Sequence, residues 1–465
     1  MVTDVAPRTS ALPHPPRRLP LLGDVLGVHA STPVQDSIAL SRELGPIFER
    51  VVLGRQYVLV SGADLAGELC DEERFVKHVS PAIEGLRSIG GDGLFTAHSY
   101  EPNWRKAHDL LRPAFAQSAM RSYHRIMLDV ASDLVAHWRA HSTVDVSSDM
   151  TKLTLDTIGR TGFSYSFDSF TRDTPHPFVD AMVGVLSHNQ RREFIPIPWL
   201  ANLVFRRADR TNAENQLFLE QVLDDIVRTR RDSASPGTTG TSDLLDIMLD
   251  AARDSTNPNA LDEVNIRQQI LTFLIAGHET TSGALSFALY YLAQNRHILD
   301  AARAEVDEVW GSETPTFEMI PKLRLVRRIL DETLRLWPTA PAFAREARED
   351  TVIGGFHEMK KGDWAFVLIP GLHRDPVWGQ DPEKFDPDRF LSAAVRARPG
   401  HVYKPWGTGE RACIGRQFAI HEAVLVLGTI LQQFEFSAEP SYRLQIEERL
   451  TLMPKNFELS VSVRK

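Results

Sequence analysis

The chain has 465 residues, 43% hydrophobic and 24% charged, with 61 acidic against 52 basic side chains and a net charge of -9. That is globular composition with enough apolar residues for a substantial core, and the acidic balance argues against a nucleic-acid binder. Two cysteines, Cys70 and Cys413, exclude a disulfide framework, and no apolar run approaches the roughly 20 residues of a membrane span, so a reducing, cytoplasmic location is expected.

Residues 1–24 carry prolines and charges where a signal peptide needs an apolar core, so they read as a stiff lead-in to a single domain covering 1–465. Residues 46–62, "PIFERVVLGRQYVLVSG", alternate around a glycine-containing turn and predict a hairpin. A helical middle follows in "NWRKAHDLLRPAF", "MTKLTLDTIGRTGF" and "ENQLFLEQVLDDIVRTRR", with apolar residues at three- and four-residue intervals. The apolar stretch 192–205, "REFIPIPWLANLVF", fits a lid, a membrane-touching patch or a partner surface. "RRDSASPGTTGTSD", residues 230–243, reads as a flexible connector within the domain.

Residues 265–292 form one long helix, mostly apolar but too polar in its middle, "AGHETT", to span a membrane. Helical stretches then lead to "DETLRLWPTAP", a strand-and-turn region, and "HRDPVWGQDPEKFDPDRF", a coil dense in Pro and Asp. "KPWGTGERACIGRQFAIHEAVLVLG" and short strands finish the chain. No internal repeat is present, and the pattern predicts a mainly α protein with a small β region.

Cys413 stands alone in that last glycine-rich segment. A buried structural cysteine, a hydrolase nucleophile using His421, and a metal ligand are the three readings. The position favours a thiolate: a helix start follows, Arg411 and Arg416 flank it, and Gly407, Gly409 and Gly415 let a flat object approach the backbone. One thiolate without companions excludes a zinc or iron–sulfur cage and suits a metal whose other ligands belong to a cofactor, as in haem.

"PWGTGERACIG" resembles the haem-binding signature of the cytochrome P450s, with Trp406 where an aromatic Phe is usual. "GDGLFT", "NWRKAH", "LTLDTIG", "FLIAGHETTSG" and "LRLWPTAPAF" extend the resemblance along the chain, toward bacterial fatty-acid hydroxylases whose haem domain is fused to a diflavin reductase. The resemblance implies the triangular haem-thiolate fold of that family, with haem b (iron protoporphyrin IX) ligated by Cys413, the thiolate pushing electron density toward the iron. Trp406, Gly407 and Gly415 belong to the same loop. Arg411, Trp104, His108 and Lys77 are the implied propionate partners.

Thr280 and Glu279 of "AGHETT" are implied to hold water and deliver protons, with Gly277 making room for O2; the plain alternative for Thr280 is a bond to the Ala276 carbonyl. The matching substrate-pocket positions are Ile83, Leu86, Phe95, Leu186, Ala276, Ala340, Ala342 and Leu450, with Phe95 steering substrate over the haem; plain core is the alternative for each. Glu332 and Arg335, three apart in "ETLR", join Arg389 of "PDRF" in an implied structural network that fixes the coil before the cysteine loop.

This sequence also departs from its relatives. Arg55 matches their carboxylate-binding arginine, but the partner tyrosine is replaced by Leu59, and Tyr57, two residues from Arg55, shares its strand face. No stretch before Lys465 reads as a flavin or nicotinamide site. Electrons are therefore expected from NADPH through a flavin (FAD/FMN) reductase or a ferredoxin not contained in this chain, as a separate partner or a missing fused reductase; Arg105, Lys106, Lys404 and Arg416 read either as its docking site or as a solvated rim.

The implied activity is insertion of one oxygen atom of O2 into a C–H bond of a medium- or long-chain fatty acid or similar lipophile. The rivals are an H2O2-driven peroxygenase and a haem sensor without turnover.

Overall fold

Residues 46–62 fold as the alternation predicts. Ile47–Val52 and Arg55–Val60 pair antiparallel with Val52 opposite Arg55, and Leu53 and Gly54 close the turn at φ 51° and 81°. Two consecutive left-handed residues give the turn whose twist suits a hairpin; Gly54 adopts it freely and Leu53 bears the strain. The computed structural model describes residues 11–29, 31–193, 198–232 and 242–465, apart from the side chains of 190, 193 and 198–202. The chain forms two compact units, Met1–Ser80 with Leu334–Cys413, and Pro81–Thr333 with Ile414–Lys465.

In the first unit the hairpin continues into a five-stranded sheet. Arg55–Val60 pairs parallel with Trp364–Leu368, then Ala342–Ala347 and Phe75–His78 follow antiparallel. Val60, Ala66, Leu69, Phe75 and Val367 are fully buried in its core. The end of the Pro-rich lead-in is stitched to the hairpin. Arg18 forks onto Asp24 at 3.0 Å and reaches Glu49 at 2.7 Å, while Asp24 accepts the Val51 N–H at 2.7 Å.

The second unit is helical around Gln117–Arg139, Val146–Phe163, Glu263–Gln294 and Arg416–Gln433. Glu263–Gln294 starts at Asp262, whose carboxylate accepts the Asn265 N–H at 2.7 Å. It packs along Val146–Phe163, where Thr151, Thr154, Thr157 and Thr161 each bond the carbonyl four residues back, so buried hydroxyls stay satisfied. Two small sheets accompany the helices: Thr143–Asp145, Glu458–Val463 and Phe434–Ala438 in one, and Ile446–Glu448 with Leu452–Pro454 in the other.

Most of the expected 230–243 connector, residues 233–241, lies outside the described residues, but its flanks are ordered rather than loose. Helix continues through Asp232. Arg230 donates at 2.9 Å to Asp243 and at 2.9 Å to the Phe163 carbonyl, and Asp243 caps Leu244–Arg253. A buried ion pair closes the segment where composition alone predicts slack. Among the described residues no helix is long and apolar enough to cross a membrane. Of the apolar stretch 192–205, residues 194–197 lie outside the described residues, and Leu203 and Val204 are exposed.

Candidate functional site

The cysteine loop, residues 404–413, is closed by its own backbone. Cys413 N–H donates to the Trp406 carbonyl at 2.8 Å, and Gly407 N–H donates to the Lys404 carbonyl at 3.2 Å. Cys413 is exposed, which removes the buried-structural reading; Cys70 is the buried thiol. Gly407 and Gly409 sit at φ 73° and 61°, where a side chain is strained. Glu410 N–H donates to Glu72 Oε1 at 2.9 Å, and a Cβ on Gly409 would collide with that carboxylate.

Gly415 differs from both. Its φ is ordinary, and an added Cβ would touch only Phe115 at 3.9 Å, so no protein atom requires a glycine there. A cradle kept open in this way, beside one accessible thiol, fits a flat cofactor. Among the described residues no three His, Cys, Asp or Glu side chains gather as a metal cage. The donor set therefore suits a metal that brings its own ring of ligands. Arg411 is half-exposed two residues before Cys413, and the helix Arg416–Gln433 begins just after it, so charge and helix dipole both favour a thiolate. His421, the hydrolase candidate, is engaged elsewhere: its Nε2 lies 2.9 Å from His124 Nδ1, and burial pushes its pKa down to about 4.

The long helix Glu263–Gln294 has an opening on one stripe. Ala276 is exposed and Gly277 and Thr280 are half-buried, whereas Ile275, His278, Glu279 and Thr281 around them are buried. Thr280 Oγ1 donates to the Ala276 carbonyl at 2.7 Å, the plain alternative weighed for it, and its lone pairs remain free to accept. Gly277 has a packing reason: a Cβ there would lie 2.9 Å from Ile158 Cγ1 of the neighbouring helix.

Glu279 does not share the open stripe. It is buried beside Arg449, Thr451 and Glu447, and burial pushes its pKa up to about 7. Arg449 and Thr451 pull that value down, yet neither carboxylate oxygen has a partner in hydrogen-bond geometry among the described residues.

Phe95 is half-buried on a loop tied to the same helix. Leu94 N–H donates to Gln269 Oε1 at 3.0 Å, Gln269 Nε2 donates to Asn265 Oδ1 at 2.9 Å, and Asn265 Nδ2 donates to Asp92 Oδ1 at 2.7 Å. Asn265, Gln269, Thr272, Ala276 and Thr280 follow at four- and three-residue steps, so the anchor and the open stripe lie on one helix face. Three polar residues at helical spacing in an apolar helix, Asn265, Gln269 and Thr272, are the sequence signal of this ladder.

The apolar candidates separate. Leu86 and Leu186 are 2% and 3% exposed, which makes them core packing rather than presented surface. Ile83 and Leu450 are half-buried in the second unit; in the first, Ala342 is half-buried and Ala340 exposed. Arg55 is exposed and Tyr57 half-buried on one face of Arg55–Val60, Tyr57 edge-on to Trp364 at 5.9 Å, while Leu59 is buried. Lys77 pairs across from Arg345 in the sheet. Trp104 is buried and stacks on His108 at 5.0 Å, with the Arg105 guanidinium 4.6 Å from its ring.

Glu332 and Arg335 are both fully buried. Arg335 donates to the carbonyls of His373 at 2.9 Å, Pro382 at 2.7 Å and Lys384 at 3.2 Å, and Arg389 to those of Trp378 and Asp381. Both arginines hold the Pro/Asp coil by its backbone.

A family profile described as Cytochrome P450 matches residues 13–461. The chain is 45% identical to the bifunctional cytochrome P450/NADPH–P450 reductase of Bacillus cereus, over 98% of this chain and 43% of that protein. It is 45% identical to the bifunctional cytochrome P450/NADPH–P450 reductase 1 of Bacillus subtilis, over 98% and 42%. A self-sufficient cytochrome P450 monooxygenase of Exserohilum turcicum is 38% identical over 99% and 43%. The chain thus spans less than half the length of these relatives. With the match running through both the cysteine loop and the open helix, the chain belongs to the cytochrome P450 family.

Proposed function

We propose that the chain is the haem-binding part of a monooxygenase that hydroxylates C–H bonds of medium- or long-chain fatty acids or similar lipophiles. The observation that carries the reading is Cys413: an exposed thiol on a closed loop, beside a glycine cradle that no protein atom fills. Haem bound through Cys413 would supply O2 activation. The fusion of the Bacillus relatives to an NADPH–P450 reductase supports a flavin reductase as electron source.

The chain's own residues do the rest. The helix dipole and the positive charge of Arg411 favour the thiolate form of Cys413. Thr280 Oγ, with its proton given to the Ala276 carbonyl, accepts from a water on the open stripe and orients it. Glu279, near half-protonated at neutral pH, gives and takes protons from its buried flank. Arg55 and Tyr57 offer a cation and a hydroxyl to a carboxylate, and Phe95 with Ile83 and Leu450 offers apolar contact. Trp104, His108, Lys77 and Arg411 serve the propionates. Arg105, Lys106, Lys404 and Arg416 meet the electron donor.

The test is turnover by haem-loaded protein with a P450 reductase and NADPH over a panel of fatty acids. Hydroxylated product, abolished in Cys413→Ser, is expected. Product with H2O2 alone and none with NADPH would identify a peroxygenase instead, and no product under either condition would overturn the reading.

A further inference from the structure

We propose that His373 is a positioning residue for Cys413: as a neutral Nδ1–H tautomer it fixes the start of the cysteine loop by accepting the Lys404 N–H. The inference rests on the reading of Cys413 as the haem ligand. His373 is fully buried. Its Nδ1 lies 3.0 Å from the Arg335 carbonyl, which can only accept, so Nδ1 carries the proton. Lys404 N–H donates to Nε2 at 2.9 Å, so Nε2 is bare. Two opposite partners leave one tautomer and one ring orientation.

The ring cannot swing away. Arg335 Nη1 returns a bond to the His373 carbonyl at 2.9 Å, and Tyr403 stacks on the imidazole at 5.2 Å. Burial and the neighbouring Arg335 and Arg374 guanidiniums press its pKa down to about 3, so the imidazole stays neutral. From there two backbone bonds lead along the loop to the Cys413 N–H. The Lys404 carbonyl accepts Gly407 N–H, and the Trp406 carbonyl accepts Cys413 N–H. A shift at Lys404 is therefore handed to Cys413 through short, bonded backbone.

The alternative is that the imidazole merely fills space. His373→Gln and His373→Asn separate the two, because Gln sets an amide oxygen near the Nε2 position and Asn an amide nitrogen near Nδ1. The readouts on haem-loaded protein are the half-life of the thiolate-type ferrous–CO absorbance and the far-UV melting curve. His373→Gln should keep the half-life within about twofold, and His373→Asn should shorten it about tenfold at unchanged melting, as for one lost buried bond.

Equal behaviour of the two variants overturns the proposal, as does a half-life that merely follows the melting temperature. Failure of both to fold also overturns it, since the ring would then support the whole unit. Nitrogen-15 NMR of wild-type ferrous–CO protein should show the Nδ1–H tautomer, and Nε2–H would sink the idea by itself. A wild type without a thiolate-type spectrum instead defeats the ligand reading, and the tautomer would still report on the strut.

Discussion

Gln269 Oε1 accepts the Leu94 N–H at 3.0 Å, so the residue before Phe95 hangs from the same helix face that opens at Ala276 and Thr280. Both ends of the Gln269 amide are used, and the residue is fully buried. Gln269→Leu keeps the volume but orphans Leu94 N–H, at about 1–3 kcal/mol. The expected outcome is a fatty-acid spin-state titration weakened by about fivefold to tenfold, with the thiolate-type CO spectrum intact. Unchanged affinity would show that Phe95 is held by something else.

Glu72 and Gly409 make a second separable pair. An alanine at 409 must adopt φ near 61° and push the Glu72 carboxylate off Glu410 N–H. In wild type Gly409→Ala should thus cost a left-handed penalty of about 1 kcal/mol plus a lost hydrogen bond of about 1 kcal/mol. In a Glu72→Ala background only the first remains, giving a coupling of about 1 kcal/mol in a double-mutant cycle of denaturant unfolding. Strict additivity would mean that Glu72 does not grip the loop.

What could be read from the sequence was what repeats or is locally determined. The 46–62 alternation, the 265–292 helix and the glycine-flanked Cys413 each carry a pattern within a few residues. The packing reason for Gly277 had no local signal, because its missing Cβ answers to Ile158, more than a hundred positions away in the chain. Leu86 and Leu186 could be core or lining on sequence alone, because an apolar residue reads alike in both, and the fold buries them. His373 and Gln269 were overlooked because a single His or Gln becomes meaningful only when folding brings a specific carbonyl or N–H to it.

Trp406 is where the cysteine loop departs from the usual aromatic. Its Nε1–H is buried with no hydrogen-bond partner among the described residues, while its carbonyl takes the Cys413 N–H. A buried donor without a partner in the protein is costly, and a bound haem-thiolate would offer it an acceptor. If the indole N–H reaches the sulfur, it draws off negative charge and raises the potential. Trp406→Phe should therefore lower the haem reduction potential by about 40 mV, the equivalent of one modest hydrogen bond in a one-electron couple. A redox titration showing no shift would remove the indole from the thiolate's surroundings.

Two buried carboxyls should make the alkaline side of the stability profile steep. Burial pushes Glu422 to about 8 and Glu279 to about 7, against the opposite pull of the Thr157 hydroxyl on the first and of Arg449 and the Thr451 hydroxyl on the second. Each keeps its proton in the fold up to those values but ionises near 4.5 when unfolded, so the folded state binds the extra proton in between. Their contribution is fully present below about pH 4.5 and is lost as pH rises through 7 and 8. The buried histidines work the other way. His278 and His421 are pressed to about 4 and His373 to about 3, so their contribution stands above about pH 6.5 and is lost as pH falls through those values. The melting temperature should therefore peak near pH 6 and fall toward pH 9. Glu422→Gln should match wild type near pH 5 and melt several degrees higher at pH 9, flattening the alkaline limb while leaving the acid limb alone. A variant that parallels wild type across the range would mean that Glu422 is already ionised inside the fold.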